Sequence, residues 1–270
     1  MPDYLPFAGK NAIVEMVAGF QFQGQFYASL GPTISALRQD FEKDLPKFEP
    51  VQQITFTMGP AASMPAISPP PSPAGFVFTK PKQDGTPGRI LRAIGNTVSI
   101  HFMEYDRWED TSESILDYSR RCLTLMNVVE RNGIVATFLR YIDRFTFDGN
   151  PDDAKPAALF RERTNFLPSV IFGSGNQWHA NSGWYEPLAG LRTFNNLNVG
   201  AVAQNPATVT VDHSNVYPLE TICHSVAEFI DGAPSRPSVL KVWDEQHSLN
   251  KRILANLLNQ KTLDTIGLRQ

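Results

Sequence analysis

Apolar residues recur along this chain with two periods, one of two residues and one of three to four, and the segments carrying them follow one another in a readable order. Across Ile13–Phe22, Val14, Met16, Ala18, Phe20 and Phe22 share one face while Ile13, Glu15, Val17 and Gln21 share the other, which predicts a strand. In residues 29–45, Leu30, Ile34, Leu37, Phe41 and Leu45 fall at helical spacing, and Pro46 and Pro50 close that helix. A second strand is expected at 51–58. Residues 59–73 then hold six prolines, a density that excludes a helix or central strand and reads as a surface excursion. Strands at 76–80 and 89–94 flank the turn Asp84-Gly85, and Gly95-Asn96 turns the chain into 98–103. Residues 110–131 form a helix whose stripe is Ile115, Tyr118, Cys122, Leu125 and Val129, stopped by Asn132-Gly133.

The second half repeats the outline. A short helix is expected at 152–163, then strands at 170–179, 183–187, 193–203 and 208–216, a helix at 218–230, a long helix at 238–258 capped by Ser238, and a short one at 262–268. The pattern implies an α+β fold, an antiparallel sheet with helices on one face. Two sheet-plus-long-helix modules in tandem, 1–150 with the proline-rich loop 59–73 and 151–270, tightly associated, describe it best. One continuous sheet through both is the alternative.

The most informative segment is Ile134–Phe147, a β-branched and aromatic run interrupted by Arg140, Asp143 and Arg144. Charge in so apolar a strand needs a partner or a purpose. Alternation places Arg140 and Arg144 on one face, about 13 Å apart at strand rise, and Tyr141 with Asp143 on the other. Two guanidiniums on one face suit an anionic ligand held by forked hydrogen bonds. Structural pairing with a neighbouring carboxylate competes with that reading, and Glu15 is the candidate.

Three further places could carry chemistry. Tyr105 and Trp108, beside Glu109 and Asp110, form an aromatic pair able to edge a ligand site or to fix the loop. On the last long helix, His247 and Asn250 interrupt the stripe of Leu240, Trp243, Leu254 and Leu257. Such polar groups need partners or a cavity. The segment 173–185 gathers Trp178, His179, Trp184 and Tyr185, a hairpin or a binding surface.

Composition narrows the classes. A net charge of -3 argues against a broad basic nucleic-acid surface. Two cysteines, Cys122 and Cys223, in apolar helical contexts read as buried thiols of a reducing compartment, and no Cys/His spacing suggests a metal site. No nucleotide, metalloprotease or nucleophile-elbow motif is present, so no cofactor is expected. The N-terminus lacks a signal-peptide pattern and no apolar run reaches membrane length, so a cytoplasmic location is expected, without membrane partners.

In order, the chain carries Ala12-Ile13-Val14-Glu15, Ile94-Gly95 followed by Tyr105 and Trp108, an LRYIDR strand at 139–144, and a late helix with His247 before a leucine-rich end. With these motifs it resembles a sporadically distributed bacterial family of uncharacterised proteins of similar length. It departs from that pattern in the insertion at 59–73 and in Asp143, where asparagine is usual. The resemblance supplies no catalytic residue. It implies an accessory role in defence, toxin control or a mobile element, with a partner encoded by an adjacent gene. The leading expectation is therefore a non-enzymatic binding or regulatory protein recognising a protein partner or anionic ligand at Arg140, Arg144 and Glu15, with Tyr105 and Trp108 at the rim. One alternative is an enzyme with a helix/sheet cavity, using His247 as general base with Asp212 or His179 nearby. The other is a structural subunit of a larger assembly, which requires a large exposed apolar patch.

Overall fold

The computed structural model describes residues 3–7, 9–25, 33–53, 72–127 and 129–268. Ten strands form one antiparallel sheet: β1 (Tyr4–Pro6), β2 (Ile13–Phe22), β3 (Lys47–Gln53), β4 (Ser72–Pro81), β5 (Pro87–Ile94), β6 (Thr97–Phe102), β7 (Ile134–Phe147), β8 (Trp178–Leu188), β9 (Leu191–Val202) and β10 (Thr208–Cys223). Their order is β3-β4-β5-β6-β2-β7-β10-β9-β8, with β1 added to the end of β7. The sheet is thus continuous through both halves of the sequence, and β7 is the seam where β2 from one half meets β10 from the other.

The helices are α1 (Thr33–Phe41), α2 (Trp108–Met126), α3 (Val129–Asn132), α4 (Val226–Asp231), α5 (Val239–Leu257) and α6 (Gln260–Thr265). Beneath α1 and α2, the apolar faces of β2, β5 and β6 supply Met16, Ala18, Phe20, Leu91, Ala93, Val98, Ile100 and Phe102 to one core cluster. A second cluster gathers Phe145, Leu197, Val199, Val209 and Val211 with Leu254 and Leu257 of α5. Both rest on one face of β7, so the alternation of that strand orients the whole helical layer.

Where expectation and structure part, local backbone chemistry gives the reason. The helix expected at 110–131 starts two residues earlier, then breaks at Asn127, whose left-handed φ of 48° closes α2 before α3 begins. Residues 152–163 form two 3₁₀ turns at Pro151–Asp153 and Pro156–Ala158, because prolines spaced that closely cannot share one α-helix. The chain expected as a strand from 170 instead begins with a 3₁₀ turn at Ser169–Gly173. Residues 218–223, expected as helix, extend β10 past a register irregularity, and only Val226–Asp231 is helical. Pro50 lies inside β3, at a sheet edge where a missing N–H costs no ladder bond. Most of the expected excursion at 59–73, and the strand segment at 54–58, lie outside the described residues.

The helix α5 is fixed to β7 by a hydrogen bond in the core. Trp243 is wholly buried, and its indole N–H donates to the Thr137 hydroxyl at 2.7 Å, which itself donates to the Gly19 carbonyl at 2.9 Å. Thr137→Val keeps the shape but leaves the buried indole N–H without an acceptor. It is expected to lower the unfolding free energy by about 1–3 kcal/mol, read from urea denaturation, with an unchanged dependence on denaturant.

Candidate functional site

The expected site residues fall on opposite faces of the sheet. Arg140 and Glu15 lie on the face away from the helices. Tyr105, Trp108, His247 and Asn250 lie on the helical side, with Tyr141 and Asp143 of β7. A single site with Arg140 and Arg144 at its centre and Tyr105 and Trp108 at its rim is therefore not what the fold builds. Strand alternation separates the two groups by the thickness of the sheet.

On the open face, Arg140 makes a forked pair with Asp212 of β10, at 2.7 Å from Nε and 2.6 Å from Nη2. That bonding raises the Arg140 pKa above its usual value. Glu15 is not the forked partner. It accepts from or shares a proton with His101 at 2.6 Å, and that bond holds its carboxyl below the usual range. Register explains the choice. Both Asp212 and Glu15 flank Ile142, on either side of β7, so both sit diagonal to Arg140, and His101 engages the second acid. Arg144 lies over the Phe7 ring, its guanidinium carbon 5.2 Å from the centroid. His179 is bonded to Asn198 on this same face, so neither His179 nor Asp212 adjoins His247. With Asp212 occupying the fork of Arg140, the open face offers an anion less than the sequence implied.

The helical side holds a cavity of about 390 Å³ between the β6–α2 connection, β7 and the second half of α5. Its walls include Tyr105, Trp108, Asp143, His247, Asn250 and Lys251. Trp108, Tyr105 and His247 are placed by specific contacts. The Trp108 indole N–H donates to Asp244 of α5 at 2.7 Å, and its ring stacks on His247 with centroids 4.6 Å apart. The Tyr141 hydroxyl is hydrogen-bonded to Nδ1 of His247 at 2.9 Å. Tyr105 meets Tyr141 edge to face. Burial, reinforced by Lys251, draws the His247 pKa down to about 4, so the imidazole is neutral at neutral pH.

Asn250 belongs to a polar seam beneath α5 that sequence reasoning located only at that residue. The His213 ring bridges the side chains of Asn250 at 2.8 Å and Asn195 at 3.1 Å, and Asn195 bonds Glu186, which pairs with Arg252. Gln246 donates to Asn215 at 2.8 Å. Burial pulls the His213 pKa to about 4. A signal was present: in β10, Val209, Val211, His213, Asn215 and Tyr217 share a face, so two polar residues interrupt a buried one, as Asn195 does beside Leu197 in β9.

Asp143 is the anomaly of the cavity. It is 2% exposed, its Oδ2 is fully enclosed, and among the described residues no group donates a hydrogen bond to that oxygen. Burial alone lifts its pKa to about 7. The hydroxyl of its neighbour Tyr141 is bonded to His247 and not to Asp143. Among the described residues no three His, Cys, Asp or Glu side chains gather as a metal site, and no helix is long and apolar enough to cross a membrane. Cys122 and Cys223 are buried and unpaired. Among the described residues the exposed large apolar side chains are Leu5, Phe7, Val170, Tyr185, Val202 and Ile222, of which Leu5 and Val202 share one cross-strand row through Thr146 and Thr208. Comparison with protein-family models, curated proteins and solved structures finds no match to this chain.

The electrostatics of Asp143 predict a pH signature. Between about 4, where the unfolded carboxyl titrates, and 7, the native state holds a proton that the unfolded state has released, so stability falls as pH rises through this window. Three pH units correspond to about 4 kcal/mol. Asp143→Asn is expected to match the wild type at pH 4 and to exceed it at pH 8 by a sizeable part of that amount. Urea unfolding across pH 4–8 checks this, and a constant difference would contradict it.

Proposed function

We propose that this protein is a non-enzymatic binding protein whose ligand occupies the cavity beneath the second half of α5, serving as a sensor or regulatory component of an accessory bacterial system in the cytoplasm. The observation that carries this reading is Asp143, a buried acid whose Oδ2 has no hydrogen-bond partner, in the wall of a cavity of a size that suits a small molecule. An orphaned buried acceptor is costly in the empty protein and inexpensive once a ligand donates to it. The aromatic walls add contact area with little entropy to lose, since Trp108 is already held by Asp244 and His247. In the same reading 1–150 and 151–270 act as two sheet-and-helix halves, with the cavity formed where α2 and α5 converge on β7.

The His247 geometry supports an enzymatic second reading less well. A histidine whose pKa is near 4 is a weak base at neutral pH. Asp143, with a pKa near 7, is the better suited proton acceptor, so an enzyme built here would turn on Asp143 with His247 and Tyr141 positioning the substrate.

Equilibrium dialysis of the purified protein against a low-molecular-weight cell extract, followed by mass spectrometry, separates these readings. The expected result is enrichment of one or a few compounds, recovered unchanged, with the enrichment lost in Leu254→Trp, which fills the cavity. Recovery of a chemically altered compound would favour the enzyme. Equal enrichment by Leu254→Trp, or none by either protein, would overturn binding at this site.

A further inference from the structure

The chemistry of the cavity restricts what it can hold, given that it is the ligand site. We propose that it binds a small amine in its ammonium form, with the Asp143 carboxylate as the counter-ion and Tyr105 and Trp108 as aromatic walls. The argument begins with what Asp143 lacks. Its carboxyl needs donors, and its charge needs a neighbouring cation to exist in so dry a place. A hydroxyl or amide ligand would supply a donor and leave the charge uncompensated. A carboxylate or phosphate ligand would add a second negative charge beside the first. An ammonium group supplies both donors and compensation.

The surroundings agree. From the β6–α2 connection and the start of α2 the cavity is faced by Asp106, Arg107 and Glu109, from α5 by His247 and Lys251, and from β7 by Asp143. With the imidazole neutral, three carboxylates stand against two cations. Asp106, Arg107, Glu109 and Lys251 are all exposed at the rim, which leaves Asp143 the one buried charge of the set, and among the described residues neither cation forms an ion pair with it. Of the remaining walls, Asn11 is bonded to the Tyr105 carbonyl and Asn250 to His213, while Ala12, Ile13, Leu254, Ile266 and Leu268 are apolar and suit a hydrocarbon body behind the charged head. Aromatic rings and an adjacent carboxylate together form a favourable environment for an organic cation.

Three probes of one shape test the inference: benzylammonium, benzyl alcohol and benzoate, titrated by calorimetry, with the Trp108 indole N–H followed by NMR and assigned through Trp108→Phe. Benzylammonium alone is expected to bind the wild type and shift the Trp108 signal. Its affinity is expected to rise about tenfold from pH 6 to pH 8 as Asp143 releases its proton, the amine remaining protonated throughout. Asp143→Asn is expected to lose at least tenfold in affinity at pH 8, and Lys251→Met to gain a few-fold by removing a like charge from the rim. Benzylammonium binding that is independent of pH, or undiminished in Asp143→Asn, overturns the assignment of Asp143 as counter-ion. Binding of benzyl alcohol or benzoate at Trp108 without benzylammonium overturns the ligand class and leaves a ligand-binding cavity in place. If none of the three binds, both the ammonium class and the cavity as a site for molecules of this shape fail.

Discussion

The contact between β7 and α5 is the constraint on which the rest of the structure depends. β7 is paired on both sides, to β2 and β10, so its side-chain alternation orients the two halves of the sheet together. Two of its helix-facing side chains, Thr137 and Tyr141, bond Trp243 and His247 of α5. The next β7 side chain on that face is Asp143, two residues and about 7 Å further along the strand. Asn250, the next member of the helix stripe, turns to His213 of β10 instead of to Asp143. The series of strand-to-helix bonds ends there, and the cavity lies beside that end.

The seam of Asn195, His213, Asn215, Gln246 and Asn250 gives α5 a second kind of registration. Apolar packing alone tolerates sliding and repacking. Directional bonds between buried amides and an imidazole do not, because each misplacement leaves an unsatisfied group in a dry environment. The network holds the floor and roof of the cavity in one relation. It is incomplete at Gln246, whose Oε1 lacks a donor, as well as at Asp143. The two differ in consequence: an amide oxygen left bare costs a hydrogen bond, whereas a carboxyl in the same condition changes its protonation state.

What could be read from the sequence was whatever depends on neighbours along the chain. The bounds of β2 and β7 follow from alternation and bounding turns, and the division of β7 into an Arg140 face and an Asp143 face follows from the same periodicity. The charge partners did not follow, because they depend on strand order and register. Glu15 and Asp212 flank the same residue of β7 from opposite sides, and only the location of His101 on β6 decides which of them receives Arg140. The same limit separated the aromatic pair from the arginines. Tyr105 and Trp108 follow a strand and open a helix, and nothing local states which side of the sheet that helix covers. His247 and Asn250 were legible as interruptions of an apolar stripe. His213, their counterpart, carried an equivalent signal in β10 that becomes compelling only once β9 is placed beside it with Asn195.

Asp143 joins the architecture to the function. A carboxyl raised from its ordinary range to about 7 by burial alone destabilises the folded protein increasingly as pH rises toward neutrality. Asparagine or a small apolar residue would fill the same position on β7 without that cost, so packing alone does not account for the acid. A bound cation reverses the sign of its contribution. It draws the carboxyl pKa back down, releases the proton and converts a destabilising group into a paired one. By linkage, the free energy recovered in this way appears as affinity and as stabilisation together. Trp108 of α2 and His247 of α5 meet in the cavity wall, so under the proposed function a ligand held at Asp143 would touch both helices. Under the proposed function, occupancy of this site would bear on how α2 and α5 meet, which a surface patch at Arg140, already closed by Asp212, would not.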